Sequence, residues 1–208
     1  MFSKRIITLA SLIDKDAFVL DIGTDHAYLP IYLYQKNITK KIIASDISLN
    51  VLKYATNNLR KYNLDKRILL KQSDGFKNIK EKVDIAIIAG MGTTTIKNIL
   101  KYPELPKTII IQSNNELDKL RKYMLEKNYK IIKEIAINDK NKYYVIIKYQ
   151  KGKDNLSEDE IEFGKNNNLD YMKYLLQKNE VIYKQSKDER YLNKIKRLKT
   201  IIEKIAEH

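Results

Sequence analysis

Along the first 150 residues, apolar runs of strand length alternate with segments whose apolar residues recur at helical spacing. The runs at 17–22, 41–46, 68–72, 83–89 and 108–112 are nearly continuous in Val, Ile, Leu or Ala. Strands buried on both faces of a parallel sheet read this way. Between them Leu49, Leu52, Ala55 and Leu59 mark one helical face, and Leu117, Leu120, Met124 and Leu125 another. The alternation predicts a doubly wound α/β domain.

Two further strands are predicted at 131–138 and 142–149. The link between them, Asp139-Lys140-Asn141, is turn-prone and far too short for a parallel crossover, so the two form an antiparallel hairpin. Parallel strands closed by such a hairpin give the sheet of a Rossmann-like methyltransferase; ordinary dinucleotide-binding dehydrogenases lack the final hairpin. After Gly152 and Asn155, Ser157-x-x-Glu160 has the form of a capping box, and the pattern from there is helical with a break near 186–188. Tyr191, Ile195, Leu198, Ile202 and Ile205 repeat at spacings of 4, 3, 4 and 3, a coiled-coil seam, and Met172, Leu175, Leu176, Ile182 and Tyr183 offer the facing stripe. The expected organisation is a catalytic α/β domain over 1–151 and a C-terminal helical coiled-coil hairpin over 152–208.

Composition narrows the chemistry. No run of 18 or more apolar residues predicts a membrane helix. The opening Met1-Phe2-Ser3-Lys4-Arg5 lacks a signal peptide's apolar stretch. A cytoplasmic address and no membrane partner are expected. There is no cysteine, and the histidines are His26 and His208, so neither a disulfide nor a Cys- or His-rich metal site is expected. The formal net charge of +14 favours a polyanionic partner. The codon bias that enriches Lys, Ile, Asn and Tyr would raise it too. Residues 1–150 carry 27 basic and 15 acidic side chains against 13 and 11 in 151–208, so the excess sits on the α/β part.

The chemistry-bearing residues fall at the carboxyl ends of the predicted strands, where ligands bind in this fold. The first strand ends Asp21-Ile22-Gly23, and a glycine there lets a ligand approach the backbone. An acid beside it suits the ammonium of S-adenosylmethionine. The glycines of a dinucleotide fingerprint are missing. Asp46-Ile47 ends the second strand, 23 residues after Gly23, where one carboxylate can accept from both hydroxyls of a ribose. Asp74-Gly75 follows the third, placed for the amine of an adenine. The fourth ends Ala89-Gly90-Met91-Gly92, where the transferring methyl would lie, and the fifth ends Gln112-Ser113-Asn114, with side-chain amides suited to a base edge or, for Asn114, to capping the next helix. No Asn-Pro-Pro-Tyr or Asp-Pro-Pro-Tyr tetrapeptide is present, which argues against the exocyclic amino methyltransferases that use one.

The run Asp21-Ile22-Gly23-Thr24-Asp25-His26-Ala27-Tyr28-Leu29-Pro30, with Ala89-Gly90-Met91-Gly92 and Gln112-x-Asn114, resembles the bacterial tRNA (adenine-22-N1)-methyltransferases over the whole chain. The resemblance implies N1 methylation of an adenine in tRNA, with S-adenosylmethionine as cofactor and no metal. Two departures are Ser113, where the family often has Pro, and Thr93, where it often has a glycine and where a side chain would narrow the pocket floor. On this reading Asp25 stabilises charge near N6, His26 accepts a proton or orients, Tyr28 stacks on or bonds to the extruded base, and Asn114 reads its Watson–Crick edge. Each has a plainer reading: Asp25 as a helix cap, His26 bonded to backbone, Tyr28 as core. Lys4 and Arg5 are candidate phosphate contacts or merely solvated. The tail is either a supporting or dimerising hairpin or a tRNA clamp, with a monomer or weak dimer expected. The competing functions are methylation of another RNA, a protein or a metabolite, and RNA binding without catalysis.

Overall fold

The apolar runs fold as strands β1 (Val19–Ile22), β2 (Ile42–Asp46), β3 (Leu69–Gln72), β4 (Ile85–Met91), β5 (Thr108–Ser113), β6 (Tyr129–Asp139) and β7 (Lys142–Lys151). The structure, a computed structural model, describes residues 2–207; Met1 and His208 lie outside the described residues. All seven strands join one sheet in the order β3-β2-β1-β4-β5-β7-β6. β1 to β5 run parallel, with Asp21 opposite Ala44 and Ile22 opposite Ile88. Successive residues feed opposite faces. Leu20, Ile22, Ile88 and Ile111 enter one hydrophobic cluster, and Val19, Ile85, Ile87 and Ile110 enter the other.

The hairpin forms as expected, but its second strand docks on β5, antiparallel, and β6 lies outermost. Lys140 and Asn141 turn the corner with φ of 53° and 62°, the paired left-handed geometry that matches hairpin twist. The expectation that every parallel strand is buried on both faces fails at β3. As an edge strand it has one neighbour, and Leu69 is exposed. β4 extends past its predicted end because Gly90, at φ +80°, absorbs a register shift against β5 between Ala89 and Met91.

The helices are α1 (Lys4–Ser11), α2 (Tyr28–Gln35), α3 (Leu49–Lys61), α4 (Thr93–Ile99), α5 (Leu117–Glu126), α6 (Glu158–Phe163), α7 (Leu169–Ser186) and α8 (Glu189–Ala206). α1 has no counterpart in the sequence reading. Ser3 caps it, its Oγ accepting from Ile6 N at 3.3 Å, and the helix packs on α2. In the tail the capping box is present, with Ser157 and Glu160 each accepting from the other's backbone N–H. A further break follows at Gly164 (φ +102°), so α6 precedes the α7–α8 hairpin. Ile195 and Leu198 of the predicted seam are buried, and Leu156, Phe163, Tyr171, Met172 and Leu198 belong to the same cluster as one face of the sheet. Among the described residues no helix is long and apolar enough to cross a membrane, and no cluster of His, Cys, Asp or Glu is arranged to hold a metal ion.

One polar knot ties the tail to the sheet. Arg121 of α5 donates Nη2 to Glu134 Oε1 (2.7 Å) and Nε to Oε2 (3.2 Å), and neither side chain reaches solvent. Arg121 Nη1 also donates to the carbonyl of Ile161 (2.9 Å), while Glu134 accepts from Lys165 N and Asn166 Nδ2. Gly164 fits because a Cβ there would collide with the paired carboxylate and guanidinium.

Candidate active site

The turn after β1 is built from left-handed residues. Gly23, Asp25 and Ala27 have φ of 73°, 52° and 57°. The two non-glycine residues cost about 1 kcal/mol each. Ala27, fully buried, takes the N-cap position of α2 without a side-chain cap, so Asp25 is not the cap. The turn instead lifts Asp25 and His26 toward solvent, with His26 Nε2 3.6 Å from Asp25 Oδ1. The His26 carbonyl accepts from Asn58 Nδ2 at 2.7 Å, and its ring faces Tyr28 at 5.5 Å and Tyr54 at 6.2 Å. Tyr28 is 43% exposed and is not core.

A cavity of about 360 Å³ opens at the carboxyl ends of β1, β2 and β4. Asp21, Gly23, Asp46, Ala89, Gly90 and Met91 share its walls with Asp25, His26 and Tyr28. A larger cavity of about 540 Å³ lies at the tail junction, away from every residue of the strand-end series. Burial raises the Asp21 pKa from 3.8 to about 6; Thr24 opposes the shift and the carboxylate of Asp46 adds to it. Among the described residues no cationic side chain forms an ion pair with Asp21. A buried carboxylate without a counter-ion suits a ligand that brings its own positive charge, and the ammonium and sulfonium of S-adenosylmethionine meet that need. Asp46 Oδ1 accepts from Ser48 N at 2.9 Å, which fixes the carboxylate for a diol.

Four predicted cofactor positions lie outside this cavity. Ile47 is exposed, and its carbonyl accepts from Gln72 Nε2. Asp74 is exposed and paired with Lys77 at 2.5 Å. Gly75 packs against Ile99, and Gly92 is the N-cap residue of α4. Asn114 does not cap α5, where Glu116 holds the cap position. Asn114 Nδ2 donates to the Gly90 carbonyl (2.8 Å), and its Oδ1 accepts from Gln112 Nε2 (3.1 Å). Gln112 is fully buried, and its Oε1 accepts from Gly90 N (3.1 Å) and Arg5 Nη1 (3.4 Å). The two amides therefore hold Gly90 at both its N–H and its carbonyl. Thr93, expected to narrow the pocket, is buried in the β4–β5 junction, its hydroxyl 2.8 Å from Ser113 Oγ.

Arg5 and Leu9 of α1 and the buried Thr24 also line the cavity. Ser3 ahead of an amphipathic run was the available signal for α1; nothing in the spacing places that helix over the strand ends.

A methyltransferase-domain family matches residues 2–147. TrmK of M. capricolum, solved with S-adenosyl-homocysteine, superposes with a TM-score of 0.83 at 36% identity, over 99% of this chain and 98% of that one. The chain belongs to the tRNA (adenine-22-N1)-methyltransferase family. The B. subtilis m1A22 tRNA methyltransferase structure gives a TM-score of 0.77 at 28% identity, over 100% and 98% of the two chains. By sequence, the tRNA (adenine(22)-N(1))-methyltransferase of Bacillus subtilis is 32% identical over 155 residues, 72% of this chain and 65% of that protein's length. These family likenesses reach through the helical tail, because the solved structures are covered nearly whole.

Proposed function

We propose that this protein transfers a methyl group from S-adenosylmethionine to N1 of an adenine in tRNA, at position 22. The observation that carries the reading is one cavity that gathers Asp21, Gly23 and Asp46, suited to the cofactor, with Asp25, His26 and Tyr28 at its open side. Family membership names the acceptor, and a net charge of +14 suits it. S-adenosylmethionine, when bound, supplies an electrophilic methyl on a sulfonium. Adenine N1 carries an in-plane lone pair, so the protein needs to position it more than to deprotonate it. Positive charge then spreads over the ring toward N6. Asp25, exposed and unburdened by an ion pair tighter than the 3.6 Å contact with His26, is placed to stabilise it. His26 orients Asp25 or takes the N6 proton, and Tyr28 offers its ring to the unstacked base. The Gln112–Asn114 clamp serves by holding Gly90, so Asn114 acts as a positioning residue.

Residues 1–151 form the catalytic unit of this proposal and 152–208 its supporting helical unit, working in the cytoplasm as a monomer or weak dimer. Incubating unmodified tRNA with labelled cofactor and mapping the methylated nucleotide tests the assignment; label in any other acceptor overturns it. Asp25→Ala is expected to keep S-adenosylhomocysteine affinity within twofold and to lower single-turnover methyl transfer at least tenfold. An unchanged rate removes Asp25 from the chemistry.

A further inference from the structure

Beside the first cavity lies a second hollow of about 520 Å³, between the start of α1, the first turn of α2 and the end of α3. The two share Arg5, Ile6, Asp25 and Tyr28, and the second adds Phe2, Ser3 and Tyr62. Its walls are aromatic. Phe2 meets Tyr32 edge-on at 5.1 Å and Tyr28 at 6.5 Å, which holds the Phe2 and Tyr28 rings in place. Tyr28 and Tyr62 are 43% and 40% exposed. Tyr62 is the C-cap residue of α3 and belongs to neither hydrophobic core cluster. Rings held at the rim of a hollow lose little entropy on stacking and present a π face to an incoming plane. The hollow's charged members are opposite in sign: Arg5, whose guanidinium donates to Gln112 Oε1 and lies over the Tyr144 ring, and Asp25, shared with the first cavity.

A flat heteroaromatic base with an exocyclic amine matches that set. The rings stack on it and Asp25 accepts from the amine. We propose that this second hollow seats the unstacked adenine of the RNA, with Tyr62 and Phe2 as the stacking walls that set it against the cofactor cavity. The assignment rests on the methyltransferase reading above and extends it to residues outside the strand-end motifs.

Tyr62→Ala is expected to raise the KM for tRNA at least tenfold while the thermal shift given by S-adenosylhomocysteine stays within 2 °C of the parent's. Tyr62→Phe restores the parent KM, and Phe2→Ala repeats the defect from the opposite wall. The chain has no tryptophan, so Y62W carries a single indole fluorophore. Unmodified tRNA should quench its emission, and the same tRNA made abasic at the methylated position should not. Methyl transfer to tRNA by the parent tests the functional reading separately. Methylated tRNA together with a parental KM for Tyr62→Ala and Phe2→Ala, or with Y62W quenched equally by the abasic tRNA, overturns the pocket alone. A parent that methylates no tRNA overturns both.

Discussion

Asp21→Asn is expected to bind S-adenosylhomocysteine about a hundredfold more weakly than the parent and yet to melt at a higher temperature at pH 7.5. Both effects come from one buried carboxylate whose pKa is about 6 in the folded chain against an ordinary 3.8. Because the native state holds that proton more tightly than the unfolded state, stability from this group is greatest below pH 4. It declines as pH rises to about 6 and is flat above. At pH 7.5 the ionised, desolvated carboxylate costs the fold on the order of 2–3 kcal/mol, and the neutral amide removes that cost, which is worth roughly 5 °C in Tm for a chain of this size. On the proposed reading the same charge pairs with the cofactor ammonium, and losing one partner of a desolvated charge pair costs roughly 3 kcal/mol of affinity. Two pH signatures separate this account from simple damage. Parent affinity should weaken about tenfold per unit as pH falls below 6, and the variant should show no such slope between pH 5 and 7.5. Calorimetric titration and thermal melts at three pH values suffice; equal affinities for parent and variant would sink the role given to Asp21.

How much of this was legible beforehand depends on what kind of fact each residue carries. The parallel strands, the hairpin and the capping box were readable because each is encoded within a few residues: continuous apolar runs, a three-residue turn, Ser157 paired with Glu160. The strand-end acids were readable because the fold places strand ends together, and Asp21 and Asp46 do share one cavity. Asp74, which the same spacing puts beside them, does not line that cavity. It sits on the edge strand side, where Lys77, three residues on, takes its carboxylate. Asn114 shows a different limit: an amide at a rim can face a base or the chain itself, and only the position of Gly90, fixed by its positive φ and the β4 register shift, decides for the chain. The wall formed by α1 depends on where that helix packs, against α2, β6 and β7; Ser3 marks the helix locally, but its placement over the strand ends is a long-range, tertiary outcome.

The knot between Arg121 and Glu134 belongs to that long-range class and carries the largest expected stability effect. Glu134→Ala should lower Tm by roughly 10 °C, corresponding to about 3–5 kcal/mol for a buried ion pair that loses one member. The reason is what remains behind. Burial by itself would lower the Arg121 pKa, but the Glu134 carboxylate raises it on balance, so the guanidinium stays charged in a site with no solvent. Removing the acid strands that charge and also leaves Lys165 N and Asn166 Nδ2 without their acceptor. The double change Arg121→Met with Glu134→Leu should recover most of the loss, since a well-packed apolar pair can replace a buried ion pair at little cost. It should not recover the link to the tail, because Arg121 Nη1 also holds the Ile161 carbonyl and Glu134 holds the turn after Gly164. Limited proteolysis at the α6–α7 connection distinguishes the two contributions: cleavage is expected to quicken in both variants, even where the melting temperature of the double variant returns toward the parent's. Unaltered cleavage and a Tm within 2 °C of the parent for Glu134→Ala would show that the tail is anchored by its other contacts with the sheet, apolar ones and the bonds of Asn168 and Asp154, without the knot.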